Sequence, residues 1–252
     1  MTDIFLLSLI QGITEFLPIS SSSHLIIFSK YSNFTDQSLT IDISLHIGSF
    51  LAVTTYFYKD IINLIKNRNL FFKILIASIP ILIFGYFLVR TNLIDKLRNI
   101  EVIGWTTLFF GIVLYMSDKF KLEKEIKNNF TFKAAIFIGL FQILSLIPGV
   151  SRSGISISAA RFLNFKRFDA TKISFLLSIP TLGAVSVFGL KNLLSSSDFS
   201  FTLLNLFSII FSFIFSLITI NFFIKYIKKF NLNIFVLYRI FLGLILLLVA
   251  YL

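Results

Sequence analysis

The chain alternates long apolar stretches with short polar interruptions, and the spacing of those interruptions predicts its elements. Residues 4–10 are apolar, but Gln11, Thr14, Glu15 and Pro18 intervene before a membrane span is complete, and the next apolar piece, Leu25–Phe28, is shorter still. A helix needs about 20 predominantly apolar residues to cross a ~30 Å hydrocarbon core, so neither piece can span. Short helices around a polar break are the pattern of a re-entrant hairpin, and 4–30 is read as one. Three longer stretches follow near 39–58, 70–90 and 100–116, and a charged segment, Ser117–Asn129, closes this half. The order then repeats, with a short apolar helix at 132–147, a break at Pro148–Gly154, a short helix to about 163, and spans near 172–190, 202–224 and 233–252.

The breaks themselves are alike. Phe16-Leu17-Pro18-Ile19-Ser20-Ser21 is matched 130 residues later by Leu146-Ile147-Pro148-Gly149-Val150-Ser151. An odd number of spans separates the two hairpins, so the second half is expected to be inverted relative to the first. In that arrangement broken helices from opposite faces meet near the midplane. The expected fold is therefore an all-α polytopic membrane protein, one membrane domain over 1–252, with about six transmembrane helices and two re-entrant hairpins. Its halves are 1–130, with hairpin 4–30, and 131–252, with hairpin 132–163.

Composition agrees with the pattern. Hydrophobic residues make up 56% of the chain and charged residues only 14%, too little polar surface for a water-soluble fold. The mean hydropathy is +0.90. The net charge of +11 raises nucleic acid as a partner, but basic residues crowding the cytoplasmic loops of a membrane protein account for it more simply, so no nucleic-acid partner is expected. The absence of cysteine excludes disulfides, thiolate metal sites and Cys nucleophiles. Met1-Thr2-Asp3-Ile4 lacks the basic start of a cleaved signal peptide and is not read as one.

Charge also tests the topology. Of the 23 Lys and Arg, the hairpin reading places Lys30, Arg90, Lys96, Arg98 and Lys191 on one side and Arg152 and Arg239 at depth, leaving sixteen for the other side. The positive-inside rule then puts both termini and the mouth of the first hairpin outside the cytoplasm. Arg239 lies about two turns from a cytoplasmic helix end and is expected to snorkel, whereas Arg152 sits at a hairpin tip with no such exit.

The polar groups define the candidate chemistry. Gln11, Glu15, Ser20–Ser23 and His24 cluster in the first break, and Ser151, Arg152, Ser153 and Gly154 in the second. Ionisable groups at membrane depth mark functional sites. Serines before a short helix stand at N-cap positions beside free backbone N–H groups, a ready anion site. Two such termini with Arg152 would hold phosphate oxygens during phosphoryl transfer. A serine nucleophile needs a base, and Glu15 and His24 are the ones at hand. Gln11 lies one helical turn before Glu15, so both side chains can face one cavity. Arg152 has a second reading, as a structural counter-ion to Glu15. His46, four residues after Asp42 on a span, is read as a supporting histidine rather than a catalyst, and most scattered serines as packing residues.

Gly12-Ile-Thr-Glu-Phe-Leu-Pro-Ile-Ser-Ser-x-x-His24, together with Pro148-Gly-Val-Ser-Arg-Ser-Gly154 and the Gly48-Ser-Phe-Leu-Ala-Val stretch, resembles the undecaprenyl-diphosphatase, or bacitracin-resistance, family over essentially the whole chain. The resemblance implies an enzyme of the bacterial cytoplasmic membrane that removes the terminal phosphate of undecaprenyl diphosphate, recycling the lipid carrier for peptidoglycan, with its site open to the outer side. It implies a polyprenyl diphosphate substrate, and a homo-oligomer is an open expectation. Residue by residue, Ser21 matches the serine nucleophile, Glu15 and His24 the acid/base and metal-associated positions, and Arg152 the phosphate-binding arginine; a histidine nucleophile would move that role to His24. Ser20, Ser22, Ser151, Ser153 and Gly154 are expected to bind substrate. The resemblance also implies a divalent cation, Mg2+ or Ca2+, at Glu15 and Gln11. Two residues depart from the family pattern: Gln11 stands where a second glutamate is frequent, and Ser23 where a glycine often precedes the histidine.

The rival from another class is an inverted-repeat transporter or polyprenyl-phosphate flippase, since broken helices in inverted repeats are common in secondary transport. A second membrane phosphatase pattern, Ser-Arg-x5-His-x3-Asp, is excluded because counting from Ser151-Arg152 reaches Ser158 and Phe162. A catalytically inactive homologue, with Gln11 as its mark, is the third alternative.

Overall fold

A computed structural model describes residues 1–31, 39–91, 93–194 and 202–252. They form helices α1 (Thr2–Thr14), α2 (Ser21–Tyr31), α3 (Leu39–Tyr56), α4 (Tyr58–Lys66), α5 (Arg68–Arg90), α6 (Leu93–Leu97), α7 (Ile100–Asp118), α8 (Ile126–Asn129), α9 (Phe132–Ile143), α10 (Arg152–Phe162), α11 (Arg167–Leu194), α12 (Leu203–Ile227) and α13 (Asn233–Tyr251). A 3₁₀ turn, Leu144–Leu146, extends α9 to the second break. The described residues contain no β-strand; one isolated bridge joins Lys124 to Phe165.

Local chemistry explains several helix starts. Asn67 accepts from Leu70 N at 3.2 Å, Asn99 from Val102 N at 2.8 Å and Thr131 from Ala134 N at 3.2 Å, so α5, α7 and α9 each begin with a side-chain cap. Thr202 and Asn205 form a reciprocal capping box on α12. Pro80 and Pro180 lie inside α5 and α11 without ending them. In a membrane, neighbouring helices and hydroxyl side chains compensate such prolines.

Among the described residues, five helical stretches are long and apolar enough to cross a membrane: Arg68–Arg90, Ile100–Asp118, Arg167–Lys191, Leu203–Ile227 and Asn233–Tyr251. The sixth expected span, α3, is a helix of 18 residues interrupted by Asp42 and His46. It tolerates them because it is central, packed on α1, α11 and α12, with Ile43, Ser44, Leu45, Ser49, Ala52 and Val53 buried. The outer helices carry lipid-compatible surfaces, with Ile83, Phe87, Phe109, Ile218, Leu237 and Phe241 among the exposed apolar residues.

Packing across the molecule is reciprocal: α1 lies on α12, α9 on α5, and α7 on α13. Both short helices approach their partners through a glycine. A Cβ at Gly12 would stand 2.5 Å from Phe215 Cβ, and one at Gly139 would strike the backbone of Ala77. At the end of α7, Asp118 accepts from Arg167 Nε at 2.7 Å and Leu232 N at 3.2 Å, and pairs with the fully buried Arg161. This joins α7, α10, α11 and α13, while Lys172–Asp60 at 2.6 Å joins α11 to α4.

Candidate functional site

Each break ends at a serine in the left-handed region, Ser20 with φ 76° and Ser151 with φ 71°, and the following residue opens a short helix. Such a backbone is costly for a residue with a Cβ and persists only where its surroundings enforce it. The sequence comparison placed Ser21 opposite Ser151, but the turn geometry shifts the register by one residue. Ser20 corresponds to Ser151 and Ser21 to Arg152, because Gly149, itself at φ 94°, lengthens the second break after its proline. Thus Ser21 and Arg152 occupy the same first position on α2 and α10.

The two turns share an internal pattern. Ser20 and Ser22 Oγ lie 3.3 Å apart, and Ser151 and Ser153 Oγ 3.1 Å. Ser151 Oγ also accepts from Gly154 N at 3.1 Å, capping α10, while Ser20 Oγ accepts from Ser23 Oγ at 3.0 Å. Ser153 Oγ donates to Leu17 O at 2.8 Å, joining one break to the other.

Between them lies a cavity of about 190 Å³ lined by Glu15, Ser20, Ser21, Ser22, His46, Ser151 and Arg152, with Thr14, Ser145 and Thr181 adding hydroxyls. A larger groove, about 650 Å³, runs past Lys166, Arg167, Lys228 and Lys229 and contains none of the break residues. Two of its cations are already paired, Lys166 with Glu125 and Arg167 with Asp118.

Glu15 is the hub of the smaller cavity. Its Oε2 accepts from Ser21 Oγ at 2.7 Å and Gln11 Nε2 at 3.2 Å, and its Oε1 from Arg152 Nη2 at 3.0 Å. The two charged side chains are 6% and 12% exposed, so the pair depends on good geometry and supplementary hydrogen bonds to offset desolvation. Arg152 Nη1 donates to Ser174 O at 3.3 Å. The counter-ion reading of Arg152 thus describes its contact with Glu15, and its place on the cavity wall keeps it available to an anion. Gln11 Nε2 lies 3.1 Å from His46 Nδ1 and 3.4 Å from Ser49 Oγ, and Ser49 continues to Ser212 and Ser216 on α12. His46 therefore supports Gln11, as its spacing from Asp42 did not by itself indicate.

His24 is placed differently. Its Nδ1 donates to Ser20 O at 2.6 Å, its Nε2 lies 2.5 Å from Tyr238 Oη, and its ring stacks on Tyr238, outside the residues that line the cavity. Of the two candidate bases, Glu15 is the one in contact with Ser21. Gln11, Ser153 and Gly154 do not line the cavity either: Gln11 reaches it only through Glu15, Ser153 is turned to Leu17 O, and Gly154 lies in the first turn of α10. Arg239 was expected to snorkel, and this is corrected: it is fully buried, bonded to backbone carbonyls of both breaks. Tyr238 carried no signal in the sequence beyond its adjacency to Arg239.

The donors suit a hard cation shared with a phosphate substrate. Gln11 Oε1 is a buried oxygen with no hydrogen-bond partner, on a side chain one turn before Glu15 that does not itself line the cavity; the cavity wall offers the Glu15 carboxylate and serine hydroxyls. No cluster of three His, Cys, Asp or Glu occurs among the described residues, so a cation here would draw on other oxygens as well. Mg2+ is commonly held by one or two carboxylates plus substrate phosphates, and one carboxylate with an amide oxygen fits that use.

The sequence pattern of the family described as bacitracin resistance protein BacA matches residues 4–245. The chain belongs to this family. An undecaprenyl-diphosphatase of Pelagibacter ubique is 51% identical over 250 residues, covering 99% of this chain and 97% of the relative. Undecaprenyl-diphosphatases of Jannaschia sp. and Saccharophagus degradans are 40% and 41% identical, covering 98% and 94% of this chain and 98% and 93% of their own lengths. The BacA family match takes in both breaks, so the Glu15–Ser21–Arg152 constellation lies within the shared region.

Proposed function

We propose that this multi-pass membrane protein hydrolyses undecaprenyl diphosphate to undecaprenyl phosphate and inorganic phosphate. The carrying observation is Ser21 Oγ donating to Glu15 Oε2 at 2.7 Å while Arg152 Nη2 holds the other carboxylate oxygen at 3.0 Å. This is a hydroxyl beside its base, with a cation poised at the position of the incoming phosphate. The family match and the full-length relatives support the lipid diphosphate as substrate.

Ser21 Oγ attacks the terminal phosphorus as Glu15 takes its proton; the anhydride P–O bond breaks, and undecaprenyl phosphate leaves with that proton. Arg152 and the N–H groups opening α2 and α10 hold the transferring phosphoryl oxygens. Water then attacks the phosphoserine, its proton passing through Glu15 to the departing Ser21 oxygen, which frees inorganic phosphate. Both His24 nitrogens are engaged, with Ser20 O and Tyr238 Oη, which favours Ser21 over His24 as nucleophile. A bound Mg2+ or Ca2+, held by Glu15 and Gln11, would neutralise charge on the diphosphate.

The reciprocal helix packing and the paired left-handed serines support two inverted halves with re-entrant breaks. The distribution of basic residues supports placement in the bacterial cytoplasmic membrane with both termini and the site on the outer side.

The test is phosphate release from undecaprenyl diphosphate by purified wild type, Ser21→Ala and Arg152→Ala, with and without chelator, alongside direct calorimetric titration of Mg2+. Loss of release in both variants is expected; wild-type rates in either would refute the assignment. Heat of Mg2+ binding that disappears in Gln11→Leu supports the cation site.

A further inference from the structure

Helix α13 passes behind both breaks, and Arg239 projects from it between them. Its side chain is 0% exposed. The Nη1 group donates to Pro18 O at 3.3 Å and Val150 O at 3.1 Å, Nη2 to Gly149 O at 2.8 Å, and Nε to Thr107 O of α7 at 3.3 Å. Among the described residues no carboxylate forms an ion pair with it. A guanidinium is suited to this because its five N–H donors lie in one rigid fork and can bind several chains at once. An uncompensated buried charge is expensive, so its presence calls for a role.

The bonded carbonyls have a common placement. Pro18 precedes the left-handed Ser20 by two residues, and Gly149 and Val150 directly precede the left-handed Ser151. Each therefore fixes the backbone just upstream of a helix whose first residue belongs to the proposed chemistry, Ser21 on α2 and Arg152 on α10. The two short helices make only a few other links across the site, among them Ser153 Oγ to Leu17 O and Arg152 to Glu15. Gly111 leaves room for the Arg239 side chain, since a Cβ there would stand 3.0 Å from Arg239 Cβ.

We infer that Arg239 is a positioning residue: by clamping the carbonyls of both breaks in one guanidinium, it sets the distance between Ser21 and Arg152, and hence the alignment of nucleophile and phosphate anchor. This rests on the phosphatase reading above. Misplacement of reacting groups by about 1 Å can cost on the order of a hundredfold in rate. Lysine at this position keeps the charge but cannot span three chain segments, so charge and geometry separate experimentally.

The experiment measures kcat and KM for phosphate release in Arg239→Lys and Arg239→Gln, normalised to folded protein from the unfolding transition in detergent. The expected result is kcat at least tenfold lower in both, with KM within threefold of wild type. Wild-type kcat per folded molecule in either variant would overturn the inference. Should neither variant fold, amide hydrogen exchange on the wild type decides: both breaks, 16–21 and 147–152, are expected to exchange as slowly as α13, and fast exchange in either break overturns the clamp. A wild type that releases no phosphate would instead refute the phosphatase reading, and the exchange experiment would still test the clamp.

Discussion

Replacing Glu15 by glutamine tests the proposed chemistry at its hub. The carboxylate accepts three donors, Ser21 at 2.7 Å, Arg152 at 3.0 Å and Gln11 at 3.2 Å. An amide has one oxygen to offer. If it faces Arg152, its NH2 group meets the Gln11 amide N–H and no longer accepts the Ser21 proton. Breaking a buried ion pair costs about 3–5 kcal/mol. Here the amide oxygen still accepts from Arg152, and Ser174 O remains bonded to that guanidinium, so a loss nearer ~2 kcal/mol is expected. The rate should suffer more, because general-base catalysis is worth about 10²–10⁴-fold. The assay is steady-state phosphate release from undecaprenyl diphosphate, with the unfolding midpoint followed in parallel. Since Ser21 and Glu15 act as a unit, the double variant Ser21→Ala/Glu15→Gln should be little slower than either single one. A Glu15→Gln enzyme with kcat within tenfold of wild type would refute Glu15 as the base.

Two further substitutions address the scaffold. Ser151→Ala removes the cap on α10 and should cost about 1 kcal/mol, whereas Ser151→Gly should cost only a few tenths of that scale, because glycine accepts both the N-cap position and the left-handed backbone; unfolding midpoints that rank alanine above glycine would contradict the φ of 71°. Asp118→Ala leaves the fully buried Arg161 without its carboxylate and should destabilise by about 3–5 kcal/mol, while kcat per folded molecule stays at the wild-type level.

Helix positions were legible because apolar run length and polar interruption are local properties: the six expected spans correspond to α3, α5, α7, α11, α12 and α13, with ends displaced by a few residues. The candidate site was legible for the same reason, since Glu15, Ser21 and Arg152 are conspicuous as polar groups in apolar surroundings. Register within the breaks was not. Which serine turns left-handed depends on the extra residue contributed by Gly149, and a one-residue offset is invisible when both candidates are serines.

The sequence by itself determined that this is a helical membrane protein whose apolar runs carry two polar breaks, because so many apolar residues need an apolar solvent. Tertiary structure alone decided which polar groups meet. Glu15 and Arg152 are 137 residues apart and Arg239 is 221 residues from Pro18, yet each pair is joined by a hydrogen bond. It turned His24 toward Tyr238 and Glu15 toward Ser21, a choice between two equally plausible bases on one loop. It also drew Arg239 inward, because the carbonyls of Pro18, Gly149 and Val150 converge there outside any helix, and in an apolar interior they solvate a guanidinium that the sequence pattern had assigned to the membrane surface.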